Sequence, residues 1–156
     1  INIINIKTAK EMLTEIKKLK NMDIAICAAA VSDWTIDKPS TNKIKKQNIN
    51  KPVLNLSLNP DILEYISNKN DNRPKLVIGF AAETNNLIKN AKEKLKKKNC
   101  DWIVANDVSK NPEIFGGDNN CISLVTKNNV DEWDTCSKKE VAEKLAIKAI
   151  ENFERN

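Results

Sequence analysis

Short, uninterrupted apolar runs alternate with stretches of helical periodicity along this chain. The runs are Asp23 to Ala30 (apolar from Ile24 onward), Leu76 to Ala82 and Trp102 to Ala105. A run in which every side chain is apolar, rather than every second one, describes a strand covered on both faces. Between the runs, Ala9, Met12, Leu13, Ile16 and Leu19 form one helical stripe, and Leu87, Ala91 and Leu95 form another. Strands that alternate with helices require crossovers, which are right-handed, and so a largely parallel sheet. The pattern predicts an α/β chain with a doubly wound, Rossmann-like, mostly parallel sheet. Cys121 to Val125 and Val130 to Trp133 flank Asn128-Asn129, the signature of a hairpin, and predict a small antiparallel addition.

Local signals fill in the rest. Ile1 to Ile6 reads as a short strand. Thr8 and Glu11 form a capping box ahead of the first helix, and Ser137 and Glu140 repeat the device before a final helix running to about Phe153. Val31 to Asn42 reads as a polar loop, and Val53 to Leu58 as a strand with Leu54, Leu56 and Leu58 on one face. Asn59, Pro60 and Asp61 suit the N-cap and first turn of a helix. Asn86 to Asn99 reads as a lysine-rich helix. With no repeats and no low-complexity linker, residues 1–156 are expected to form a single domain.

Composition removes several chemistries. The chain has no histidine, so Ser-His-Asp and Cys-His mechanisms are out of reach. Its four cysteines, Cys27, Cys100, Cys121 and Cys136, form no Cys-x-x-Cys pair, which argues against a zinc site and predicts reduced, mostly buried thiols. No protein metal site is expected. No apolar run approaches the ~18–20 residues that span a bilayer, and no secretory signal is visible, so no membrane partner and a cytoplasmic location are expected. The net charge of +5 comes almost entirely from lysine, with Arg73 and Arg155 the only arginines. Base readers favour arginine's planar fork, so small phosphorylated ligands suit this surface at least as well as nucleic acid, and no nucleic-acid partner is expected. The three glycines, Gly79, Gly116 and Gly117, do not form the glycine-rich phosphate turn that usually opens such a sheet. The expectation is that the chain starts partway into its domain.

Four segments fall at expected strand ends or the loops beside them, where open α/β sheets bind ligands. Ala28-Ala29-Ala30 would let a base or ribose approach the backbone, and Asp33 would accept hydrogen bonds or hold magnesium through water; tight strand packing with an exposed loop aspartate is the other reading. Lys43-Ile44-Lys45-Lys46 is either a solvated charge run or a mobile set of point charges suited to triphosphate. Pro60, Asp61, Ile62 and Leu63 open a helix on the same rim. Phe80 is either core or a surface for a base. Lys94 and Lys98, at i and i+4, project together from their helix.

The order of these segments resembles the ligase half of the bifunctional bacterial coenzyme A biosynthesis flavoprotein, the phosphopantothenate–cysteine ligases. The resemblance rests on Ala29-Ala30-Val31-Ser32-Asp33-Trp34, Lys43-Ile44-Lys45-Lys46, Asn59-Pro60-Asp61-Ile62, Gly79-Phe80-Ala81-Ala82-Glu83-Thr84-Asn85, Ala105-Asn106-Asp107-Val108-Ser109 and Asp118-Asn119-Asn120. It spans essentially the whole chain. It implies that the carboxylate of 4′-phosphopantothenate attacks the α-phosphate of CTP, pyrophosphate leaves, and the cysteine amine displaces CMP from the acyl-cytidylate. No covalent enzyme intermediate arises, so the protein has to position substrates and neutralise phosphate charge.

Carried over by resemblance, Cys27, Ala28, Ala29 and Asp33 match CTP contacts, and Ala30 a substrate contact. Lys43 matches the catalytic lysine of a mobile flap that also touches CTP. Pro60, Asp61, Ile62, Leu63 and Phe80 match further nucleotide contacts, and Lys94 and Lys98 the pair that reaches the triphosphate. The resemblance also implies magnesium accompanying CTP, a homodimer, and a flavin-dependent decarboxylase partner that alone would carry FMN. Trp34 stands where tyrosine or phenylalanine is usual. The glycine-rich opening and the Asn-containing motif that holds the acyl intermediate do not occur in this sequence, so an inactive fragment is an alternative. The competing classes are an RNA-binding module, weakened by scarce arginine, and a nicotinamide-dependent dehydrogenase, weakened by the missing Gly-x-Gly-x-x-Gly.

Overall fold

The computed structural model describes residues 1–40, 42, 53–108 and 119–154. In chain order its elements are α1 (Ala9–Lys18), β1 (Ile24–Cys27), β2 (Trp34–Ile36), β3 (Leu56–Leu58), α2 (Ile62–Ser67), β4 (Leu76–Glu83), α3 (Leu87–Lys98), β5 (Trp102–Asp107), β6 (Asn119–Asn120), β7 (Ile122–Thr126), β8 (Val130–Glu132), β9 (Cys136–Ser137) and α4 (Lys138–Glu154). They fall into two compact units. One comprises Ile1–Leu19 and Ala29–Ile62, the other Lys20–Ala28 and Leu63–Asn156.

The second unit holds a sheet of order β1-β4-β5-β7-β8. β1, β4 and β5 run parallel, with Ile24 opposite Leu76 and Ile78 opposite Trp102. β7 pairs antiparallel with β5, and β8 antiparallel with β7, which is the expected hairpin. The apolar runs explain the layers. On one face Leu76, Ile78, Trp102, Val104, Ile122 and Leu124 meet Val141, Leu145 and Ala149 of α4, a stripe of spacing four. Side chains of the opposite parity, Val77, Ile103 and Val125, are wholly buried on the other face. Leu63 of α2 packs there against Gly79, and α3 buries Ala91 and Leu95 outside the α4 cluster. Each such Leu, Ile or Val contributes about 1.5–3 kcal/mol on full burial. The doubly wound α/β class read from the sequence is the architecture observed, with a second small antiparallel ribbon between β6 and β9.

Gly79 sets the distance between α2 and the sheet. A Cβ at this position would lie 2.5 Å from Leu63 Cδ2 and 3.0 Å from Ile103 Cδ1. At the other end of the strands, Arg73 ties the unit together. Its guanidinium donates to the carbonyls of Ser67, Pro74 and Asn99 and forks onto Asp101 at 3.0 and 3.1 Å. Asp101 in turn accepts from the Val77 amide at 2.7 Å. With glycine scarce, Asn21, Asn72, Asn86 and Asn99 take the positive-φ positions among the described residues.

In the first unit α1 carries the predicted capping box: Thr8 Oγ1 accepts from the Glu11 amide, and the Glu11 carboxylate accepts from the Thr8 amide. β2 and β3 form an antiparallel ribbon with Trp34 opposite Leu58 and Ile36 opposite Leu56.

Four expectations are corrected. Residues 1–6 form no strand; Ile1, Ile3 and Ile4 are exposed, and a strand exists only where a neighbour pairs its backbone. The polar loop over Val31 to Asn42 contains β2, because Trp34, Thr35 and Ile36 are strand formers that find β3 as a partner, while β3 itself is limited to Leu56–Leu58. The helix begins at Ile62 rather than at Pro60, since Asn59 is held by the β2 end of the ribbon. β1 is not covered on both faces: Ala25 is buried but Ile24 and Ile26 are exposed, β1 being the edge of the sheet formed by the described residues.

Candidate functional site

The carboxyl ends of the parallel strands are where this architecture receives ligands. In the second unit, Cys27 ends β1 with Ala28 just beyond it, Phe80 lies in the outer half of β4, and Leu63 and Glu64 occupy the first turn of α2. Phe80 is partly buried against the α4 core, so its ring is packing, but its carbonyl accepts a 2.8 Å hydrogen bond from Lys94 Nζ. One turn on, Lys98 Nζ donates to Glu64 Oε2 at 2.9 Å, with only 15% of the Lys98 side chain exposed. The i, i+4 spacing thus brings both ammonium groups onto one side of α3, and each is held by a named acceptor. Beyond Phe80, Glu83 accepts from Asn90 Nδ2 at 2.8 Å and lies in register with Asp107, the last residue of β5.

The first unit carries Ala29, Ala30, Asp33, Pro60, Asp61 and Ile62. Ala28, Ala29 and Ala30 are exposed, so tight strand packing does not account for their small size. Asn59 is the organiser of this segment. Its amide donates to the Asp33 carbonyl at 2.8 Å, and its Nδ2 donates to the Ser32 carbonyl at 2.9 Å. Ser32 Oγ bridges back to the Trp34 carbonyl and amide. The Ser32–Trp34 turn and the Asn59–Asp61 entry to α2 are therefore clamped side by side. The Asp33 carboxylate is exposed, and the clamp uses only the residue's backbone. Lys43, Lys45 and Lys46 lie outside the described residues, as do Gly116, Gly117 and Asp118.

The thiols divide by setting. The four cysteines form no disulfide, and against the expectation of mostly buried thiols only Cys100 is buried, the others being half-buried or exposed. Burial pushes the Cys100 thiol up to about 11, so it is a neutral core group, whereas Cys121 is exposed. Among the described residues no cluster of three or more His, Cys, Asp or Glu forms that would hold a metal. Nor is any described helix long and apolar enough to cross a membrane. Sequence reasoning passed over two side chains, Asn59 as a clamp and Glu64 as the partner of Lys98. Asn59 looked like an ordinary helix cap, and Glu64 lies far from Lys98 along the chain, with no periodicity to link them.

A protein family described as the C-terminal domain of the DNA/pantothenate metabolism flavoprotein matches residues 1–153. The chain belongs to this family. Its relatives include the coenzyme A biosynthesis bifunctional protein CoaBC of Borreliella burgdorferi, 43% identical over 93% of this chain and 36% of that protein. The CoaBC protein of Haemophilus influenzae is 36% identical over 99% of this chain and 38% of that protein. The chain thus spans well under half the length of these curated relatives. Among solved structures, the C-terminal domain of a CoaBC protein superposes with a TM-score of 0.66 at 26% identity, covering 95% of this chain and 62% of that one. The DNA/pantothenate metabolism flavoprotein of Streptococcus pneumoniae gives 0.68 at 24% identity, over 98% and 71% of the two chains, and shares the fold. Membership of the family agrees with the motif order read from the sequence.

Proposed function

We propose that this chain is the CTP-handling portion of a phosphopantothenate–cysteine ligase, acting in the cytoplasm in coenzyme A synthesis. The observation that carries the proposal is the pair of ammonium groups on α3, with Lys94 Nζ drawn to the Phe80 carbonyl on a central parallel strand. Cations at that rim suit a triphosphate, and the ordered motifs and the coenzyme A relatives point to the same chemistry.

In this reading Lys94 and Lys98 bind and orient the phosphates and offset their charge as pyrophosphate departs. Lys43 acts from its loop on charge that develops on the α-phosphate. Cys27 and Ala28 to Ala30 offer backbone and small side chains for close approach of ligand, with Ala30 on the acyl substrate. Pro60, Asp61, Ile62 and Leu63 contribute further nucleotide contacts, and Phe80 does so through its backbone. Asp33 presents an exposed carboxylate on a clamped turn, a donor suited to magnesium held through water. Magnesium, when bound with CTP, supplies charge neutralisation of the phosphates. No side chain has to form a covalent intermediate, which is compatible with a chain free of histidine.

A homodimer belongs to the same proposal. Trp34, Ile36, Leu56 and Leu58 lie on one face of the β2–β3 ribbon and are 42–68% exposed, an apolar patch that a second copy would cover. A flavin-dependent decarboxylase is proposed as the companion activity, on residues other than these.

The test is product analysis. In the protein carrying this chain, pyrophosphate release is expected to require CTP and 4′-phosphopantothenate, and CMP release to require cysteine as well. Lys43→Gln is expected to lower turnover more than CTP affinity. CMP formation independent of cysteine, or equal turnover with every nucleoside triphosphate, contradicts the proposal.

A further inference from the structure

We infer that Glu64 is an internal counter-anion that competes with the nucleotide triphosphate for Lys98, an inference that rests on the nucleotide reading above. The Lys98 side chain is 15% exposed and its ammonium meets Glu64 Oε2 at 2.9 Å. An ammonium that far from bulk water requires an acceptor. Neighbouring groups hold the backbone on either side of the pair. Asn68 Nδ2 donates to the Glu64 carbonyl at 2.8 Å, and Asn99 Nδ2, just past the end of α3, donates to Asn68 Oδ1 at 3.1 Å. The ends of α2 and α3 are thereby joined, and Lys98 extends along that seam towards the first turn of α2.

The two partners are unequally placed. The Glu64 side chain is 49% exposed, so its carboxylate moves into water at little cost, whereas Lys98 has to stay paired. A phosphate entering at Lys98 takes over as acceptor and releases the carboxylate. Lys94 differs in kind, since it donates to the neutral carbonyl of Phe80. At Lys98, unlike Lys94, an incoming anion has to displace a like charge. The exchange lowers affinity for triphosphate and, by microscopic reversibility, helps expel pyrophosphate once it has formed.

The experiment is calorimetry of wild-type protein, Glu64→Gln, Glu64→Asp and Lys98→Gln with CTP, inorganic triphosphate and cytidine. Release of a solvent-screened ion pair predicts that Glu64→Gln binds CTP and triphosphate about two- to five-fold more tightly, with cytidine unchanged and the gain shrinking as salt rises. Glu64→Asp, which keeps the charge on a shorter stem, is expected to fall between wild type and Glu64→Gln. Thermal unfolding is expected to move the opposite way, with Glu64→Gln less stable without nucleotide. A purely structural carboxylate would lose stability and affinity together. If Lys98→Gln weakens CTP binding while Glu64→Gln shows wild-type or weaker triphosphate affinity, the competition is overturned and the nucleotide reading stands. If Lys98→Gln binds CTP as wild type does, that reading of Lys98 fails and the inference with it. Should Glu64→Gln not fold, Glu64→Asp decides: affinity equal to wild type overturns the inference.

Discussion

Gly79→Ala tests whether packing between α2 and β4 holds the rim as described. The added methyl would arrive 2.5 Å from Leu63 Cδ2 and 3.0 Å from Ile103 Cδ1, inside van der Waals contact for both. Overpacking of this kind costs about 1–3 kcal/mol. The loss of glycine's freedom in the unfolded chain returns about 0.4–1 kcal/mol, because Gly79 is an ordinary strand residue with no positive φ. The net expectation is a destabilisation of about 0–2.6 kcal/mol, or a Tm lower by up to about 10 °C for a chain of this size. The decisive measurement is a double-mutant cycle by urea denaturation. Leu63→Ala alone leaves a cavity and costs about 2–5 kcal/mol. In the double variant the new methyl occupies part of that space, so the combined loss should fall short of the sum by about 1 kcal/mol or more. Additivity within about 0.5 kcal/mol, or a Gly79→Ala protein more stable than wild type, would refute the contact.

Arg73→Lys keeps the charge but not the fork, and with it go several of the bonds to Ser67, Pro74, Asn99 and Asp101; about 1–2 kcal/mol of stability should be lost in thermal unfolding. Cys100 should resist iodoacetamide at pH 8 in the folded protein while exposed Cys121 reacts, as mass spectrometry of labelled peptides would show. Because folding raises the Cys100 pKa from 9.0 to about 11, the unfolded chain ionises first. That thiol's contribution is therefore intact below pH 9 and declines from there to about 11, a falling stability that Cys100→Ser should flatten. Leu58→Glu, which puts a charge on the exposed face of the β2–β3 ribbon, should turn a dimer into monomers in sedimentation; an unchanged oligomeric state would remove the ribbon from the interface.

The strands and helices with strong periodicity could be read directly. Leu76 to Ala82 could only be a covered strand, and Leu87, Ala91 and Leu95 only a helix face. Both capping boxes, at Thr8 and Ser137, formed as their spacing required. What escaped was tertiary. Nothing local says that Ile1 to Ile6 lacks a pairing partner, or that Trp34–Ile36 finds one twenty or more residues away at Leu56–Leu58. Asn59 carries every mark of a helix cap, yet its side chain serves a turn formed by Ser32 to Trp34. At the candidate site, Lys94 and Lys98 were legible because i, i+4 spacing is a one-dimensional signal. Glu64 was not, because an ion pair across two helices leaves no trace in sequence order.

The proposed activity depends on whether this fold presents its lysines to a cytidine triphosphate. Calorimetry with CTP, ATP, GTP and UTP in the presence of magnesium tests that directly, with Lys94→Ala as the paired variant. Preferential CTP binding, weakened in Lys94→Ala and more so at low salt, is the predicted result. Equal or absent heat with all four nucleotides, or a Lys94→Ala protein with wild-type CTP affinity at low salt, would contradict it.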